Sequence, residues 1–194
     1  MDNAANIEDI YPLSPLQQGL LFHSLYEPGS GIYVEQLGWA LEGTFHADAF
    51  EQAWQFAVSR HPALRTVFAW EGLEEPVQVV YCSAAPVLDR LDWTHLPIDD
   101  HERRLDEFLE LDRQHGFDLS VAPLMRLTLV ERAPHRRFFV WSHHHLLLDG
   151  WSVPLVLREV FGHYVASCQG HTLDLAPVPP FRSYKQWLSE QDSA

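Results

Sequence analysis

The stretch that most constrains this chain is Phe138-Phe139-Val140-Trp141-Ser142, which runs directly into His143-His144-His145, three leucines and then Asp149-Gly150. The apolar run reads as a buried strand, and residues 153–168 repeat Leu155, Val156, Val160, Tyr164 and Val165 with the spacing of one helical face. A strand followed by a helix is one unit of the alternation that points to α/β layers. The histidine cluster falls at the joint.

The rest of the chain alternates in the same way. Residues 3–15 read as an extended lead-in, since each residue before proline avoids the helical region. Ser14 caps a short helix over residues 15–25, with Pro15 in its first turn. A loop over residues 27–31 leads to a strand at 33–41. Asp48 and Glu51 fit a capping box, and Phe50, Trp54, Ala57 and Val58 form one apolar helical face that stops at His61-Pro62. Three short strands are expected at 65–70, 76–81 and 87–93. A helix over 98–114 then carries Leu105, Phe108, Leu109 and Leu111. Strands at 124–130 and 137–142 flank the Ala133-Pro134-His135 connection. The pattern predicts an α/β fold with a mixed, mostly antiparallel sheet and helices packed on it.

Composition excludes several classes. Among 194 residues, 13 Lys and Arg face 27 Asp and Glu, a formal charge of −14. A duplex nucleic-acid binder needs clustered cations, and the densest basic stretch is only Arg132, His135, Arg136 and Arg137. With 7 Trp and 11 Phe the chain is no disordered segment; the aromatics read as core. Cys82 and Cys168 make neither a disulfide framework nor a metal pattern. Residues 1–8 lack the features of a secretion signal, and no apolar run is long enough to span a bilayer. The expectation is a soluble cytoplasmic protein with no membrane or nucleic-acid partner.

Three readings of the histidine segment compete. The histidines are structural, bonded to backbone at a strand end. Alternatively, His143, His145 and Asp149 ligate a metal, as in a hydrolase, although no second ligand cluster accompanies them. In the third reading an imidazole of near-neutral pKa serves acyl transfer. No Gly-x-Ser-x-Gly elbow is present, so that reading means direct attack between two bound substrates. On a continuing strand His143 and His145 share one face and His144 takes the other. Gly150 allows a backbone angle that other residues resist.

At these residues the chain resembles the condensation domains of nonribosomal peptide synthetases, within the chloramphenicol-acetyltransferase-like superfamily. His144-His145-Leu-Leu-Leu-Asp149-Gly150 matches the HHxxxDG motif. Arg60-His61-Pro-Ala-Leu64-Arg65-Thr66-Val-Phe68 matches RHxxLRTxF at every fixed position. Tyr11-Pro-Leu-Ser14-Pro-Leu-Gln17-Gln-Gly19 resembles the opening motif, with Gly19 where many members have Arg. Phe181-Arg-Ser183-Tyr184-Lys-Gln-Trp187 resembles a later motif, with Phe for Tyr and Ser for Asp. The matches run over residues 10–188.

The resemblance implies a two-lobed enzyme that joins a carrier-bound acyl or peptidyl thioester to the amine of a carrier-bound aminoacyl group. It implies His145 as the catalytic residue, supported by His144, Asp149, Gly150 and Arg65, with Asp149 paired to Arg65. Trp151 and Ser152 follow the pattern of condensing members rather than epimerising ones and lie on the substrate side. No cofactor binds directly; substrates arrive on phosphopantetheine arms of the upstream and downstream peptidyl carrier proteins. Such domains are about twice this length, in keeping with two cores rather than one. Residues 1–13 are then a lead-in, 14–176 the N-terminal lobe, and 177–194 a proline-rich link and terminal helix toward a C-terminal lobe. The lobe alone is expected to be inactive and to expose an apolar face.

Overall fold

In a computed structural model of the chain, which describes residues 6–179, 181–183 and 187, seven strands and four α-helices build two sheets with helices packed on them. The strands are β1 (Ile7–Pro12), β2 (Val34–Glu42), β3 (Thr66–Ala69), β4 (Val77–Tyr81), β5 (Leu88–Asp92), β6 (Met125–Ala133) and β7 (Arg136–His144). The helices are α1 (Pro15–Tyr26), α2 (Ala47–Arg60), α3 (His101–His115) and α4 (Ser152–Cys168). One sheet has the order β1-β4-β3 and is antiparallel throughout. The other has the order β2-β7-β6-β5, in which only β5 and β6 run parallel. The expected mixed sheet is therefore divided in two. The expected lead-in over residues 1–13 contains β1, a strand of the fold itself.

Strand β7 lies between β2 and β6 and is covered on both faces. Phe139 and Trp141 point to α2, where Trp54 packs against them with ring centroids at 5.9 and 4.8 Å. Val140 faces the other way, into a smaller cluster with Trp93, Leu105 and Val130 beneath α3. This alternation follows from the two-residue period of a strand. On α2, Phe50, Ala53, Trp54, Ala57 and Val58 are the buried set, the i, i+3, i+4, i+7, i+8 pattern of one face.

Several expectations fail locally. Asp48 and Glu51 form no capping box: the N-cap of α2 is His46, without a side-chain bond, and both carboxylates accept from Arg90 Nη2 at 2.7 and 2.9 Å. Leu111, Leu155 and Val165 are exposed. Helix α4 buries only the narrow stripe of Val156, Glu159 and Val160, and Leu155 falls one position outside it. The buried Glu159 is matched by Arg60 Nε and His61 Nε2, each at 2.8 Å. Residues 181–183 and 187 have helical backbone, as expected of the terminal stretch. Pro180 and Tyr184 of that stretch lie outside the described residues.

Candidate active site

The three histidines are put to three different uses. His143 is almost fully buried and stacks on Trp141 at 4.6 Å, with an interplanar angle of 27°. Its Nδ1 is buried without a hydrogen-bond partner. Burial, with the neighbouring His145 and His144, pushes its pKa down to about 4. His143 belongs to the core.

His144 is the last residue of β7 and is also buried. Its Nδ1 accepts from the Leu146 N–H at 3.2 Å, so the ring proton sits on Nε2, 3.3 Å from Ser24 Oγ. The Ser24 hydroxyl in turn donates to the Leu20 carbonyl at 2.8 Å. Burial and the neighbouring His145 lower this pKa to about 4 as well. A neutral imidazole with one fixed tautomer is a structural bracket, not a proton carrier at neutral pH. It lines a cavity of about 270 Å³ together with Ser24, Trp70 and Phe117.

His145 has left the strand and is only half-buried. Since β7 ends at His144, His143 and His145 do not continue along one strand face, contrary to the extended reading. The His145 N–H donates to the Tyr33 carbonyl at 2.8 Å, and its ring lies parallel to the Tyr33 ring within 21° at 6.5 Å. Tyr33 has φ +63°, a left-handed conformation that costs a bulky residue about 1–2 kcal/mol. The strain is held where Tyr33 supports the most accessible histidine of the three.

Asp149 and Arg65 do not pair. Asp149 is exposed, and its Oδ1 accepts from the Ser152 amide at 2.8 Å and the Ser152 hydroxyl at 2.7 Å, at the start of α4. The Ser152 hydroxyl leads the contacts that hold its carboxyl below the usual range. A carboxylate there favours the positive end of the helix. Arg65 is 5% exposed and closes the far end of α2. It donates from Nε to the Val58 carbonyl at 3.1 Å and from Nη2 to the Ser59 carbonyl at 3.2 Å. Its Nη1 meets the Tyr81 carbonyl and Glu8 Oε2. The Val58 and Ser59 carbonyls lie in the last turn of α2, where carbonyls lack helical partners and a buried cation satisfies them well. Glu8 was the partner that sequence reasoning missed, because it lies 57 residues away on a strand not recognised as one.

Gly150 has no positive φ, and an added Cβ would meet nothing within 4 Å, so the special backbone angle expected there is not used. Trp151 is 87% exposed beside it. Among the described residues no group of three His, Cys, Asp or Glu side chains is arranged to hold a metal ion. His143, His145 and Asp149 go separate ways, into the core, onto Tyr33 and onto the α4 terminus.

The profile of the Condensation domain family matches residues 7–194, so this chain is a member of that family. It is 48% identical over 187 residues to one of the linear gramicidin synthase polypeptides of Brevibacillus parabrevis, covering 96% of this chain and 2% of the relative. It is 38% identical over 194 residues to one of the plipastatin synthase polypeptides of Bacillus subtilis (strain 168), covering 99% of this chain and 8% of that protein. The fold matches the starter condensation domain of rhizomide synthetase with a TM-score of 0.85 at 21% identity, over 96% of this chain and 46% of that one. The first condensation domain of the calcium-dependent antibiotic synthetase, solved with a substrate analogue, gives a TM-score of 0.85 at 17% identity and likewise 46% coverage. The architecture is thus that of a chloramphenicol-acetyltransferase-like lobe. The chain spans just under half the length of these solved domains and a small part of the curated relatives. Among the described residues no helix is long and apolar enough to cross a membrane.

Proposed function

We propose that these residues are the N-terminal lobe of a domain that forms amide bonds in nonribosomal peptide synthesis, with His145 as its catalytic residue. The observation that carries this reading is the sorting of the three histidines. Two are buried and depressed to a pKa of about 4, while His145 alone stands half-buried at the strand end. In the reaction, the amine of a carrier-bound aminoacyl group attacks the thioester carbonyl of the donor. The C–N bond forms, the amine loses a proton, and the C–S bond breaks to release the donor carrier's pantetheine thiol.

A free amine is already nucleophilic toward a thioester, so the work of His145 is to orient it and stabilise the charged tetrahedral intermediate. Trp151, exposed beside the loop, contributes to the substrate side. Ser152 shapes that side through its bonds to Asp149. Upstream and downstream peptidyl carrier proteins deliver both substrates on phosphopantetheine arms, in the cytoplasm. The lobe forms one wall of the reaction channel, and the C-terminal lobe supplies the other.

The test mixes a loaded donor carrier, a loaded acceptor carrier and this chain, with and without a C-terminal half, and weighs the acceptor carrier by intact mass. Dipeptide mass is expected only with both halves and is expected to vanish in His145→Ala. Product from this chain alone overturns the half-channel reading. Full product from His145→Ala overturns the catalytic assignment.

A further inference from the structure

Leu146 follows the reacting histidine and is 3% exposed, so its backbone groups cannot rely on water. It lies after β7 and before α4, where neither a sheet ladder nor a helix provides partners. Both groups must nonetheless be satisfied. Side chains do this on both sides. Its N–H donates to His144 Nδ1 at 3.2 Å, and its carbonyl accepts from Gln17 Nε2 at 3.4 Å.

Both holds trace back to α1. Gln17 and Ser24 are seven residues apart, two turns along one helix face, with the buried Leu20 and Leu21 between them. Ser24 accepts from His144 Nε2 and thereby fixes the tautomer whose Nδ1 lone pair faces Leu146. Gln17 is held in its turn. Its Oε1 accepts from the Ser14 amide and from Gln78 Nε2, both at 3.0 Å, and Gln78 is buried in β4. The opening motif therefore does more than start a helix.

Resting on the reading of His145 given above, we infer that α1 positions the catalytic histidine through a two-point clamp on the peptide groups of Leu146. Gln17 and Ser24 are positioning residues: neither is placed against substrate, and both act through the loop that carries His145. Loss of Gln17 leaves the buried Leu146 carbonyl without its donor. Loss of Ser24 leaves the buried His144 Nε2–H without its acceptor and frees the ring that holds the Leu146 N–H. In each case the loop shifts to satisfy the orphaned group. A displacement of about 1 Å at a reacting group costs up to about a hundredfold in rate.

The experiment uses a full domain made by joining this chain to the C-terminal half of the matching condensation domain from the 48%-identical linear gramicidin synthase polypeptide. Gln17→Glu keeps an oxygen acceptor for the Ser14 amide, and so the helix cap, but has no N–H for Leu146. Ser24→Ala removes the partner of His144 Nε2, and Ser24→Thr restores it. The expected result for Gln17→Glu and Ser24→Ala is a kcat reduced about tenfold to a hundredfold with KM for the aminoacyl carrier unchanged. Recovery is expected in Ser24→Thr. Amide exchange at Leu146 should be faster in the two impaired variants, with α1 itself still protected.

Wild-type kcat and wild-type exchange at Leu146 in both variants, alongside an inactive His145→Ala, overturn the clamp and leave the catalytic assignment standing. Full activity in His145→Ala overturns the catalytic assignment. The exchange data still decide whether α1 holds the loop.

Discussion

Replacing Arg65 by alanine separates two accounts of this site. The family resemblance pairs Arg65 with Asp149, whereas the structure spends the guanidinium on the Val58, Ser59 and Tyr81 carbonyls and on Glu8. Glu8 is 46% exposed at its side chain, so solvent screens that ion pair and little stability is assigned to it. The carbonyls matter more. Bonds from a charged donor are worth about 1.5–3 kcal/mol each, but truncation lets water reach part of the helix end. The net cost of Arg65→Ala is then roughly 3–5 kcal/mol, which lowers the melting temperature of a chain this size by roughly 6–20 °C. Asp149→Ala loses one helix-terminal acceptor, about 1 kcal/mol. Urea unfolding of both single variants and of the double variant measures all three values. Additive losses are expected, because the two side chains share no partner. Equal large losses with a coupling above about 1 kcal/mol refute the reasoning and restore the pair.

Three further outcomes follow from the structure. His143 and His144 have folded pKa values near 4, below their unfolded value near 6.5, so the unfolded chain binds more protons between those limits. Their contribution to stability is full above pH 6.5 and is lost as pH falls toward 4, at about 1.4 kcal/mol per pH unit for each histidine. Urea midpoints at pH 5, 6 and 7 check this, and His143→Phe should reduce the slope. Gly150→Ala should leave stability within about 0.5 kcal/mol of the parent, since its Cβ meets open space. Gly31→Ala should cost about 1–3 kcal/mol, because φ is +68° and the Cβ would lie 2.8 Å from the Arg113 carbonyl oxygen. Thermal melts distinguish the two.

Local patterns carried much of the fold. The i, i+4, i+7, i+8 spacing on α2, the strand pair around residues 133–135 and the stop at His61-Pro62 all appear as read. These depend on neighbours along the chain, where periodicity and proline act directly. The capping box at Asp48 and Glu51 failed because α2 starts earlier than it requires: His46 is the N-cap, Asp48 lies inside the first turn, and both carboxylates accept instead from Arg90, about forty residues away. Strand β1 escaped notice because a six-residue segment with acidic side chains becomes a strand only when β4 is beside it.

The site divides in the same way. Sequence alone determined that a strand, three histidines, a short apolar turn and a helix follow one another, and that one imidazole stands at the joint. Motif matches selected His145. Which histidines are buried, and what Arg65 and Asp149 bind, depended on contacts across long stretches of chain. Ser24 lies 120 residues from His144, and Gln17 lies 129 from Leu146. Hydrogen bonds are short-ranged and directional, so a carboxylate and a guanidinium with the right charges still choose the acceptors and donors that the packed helix ends bring within reach.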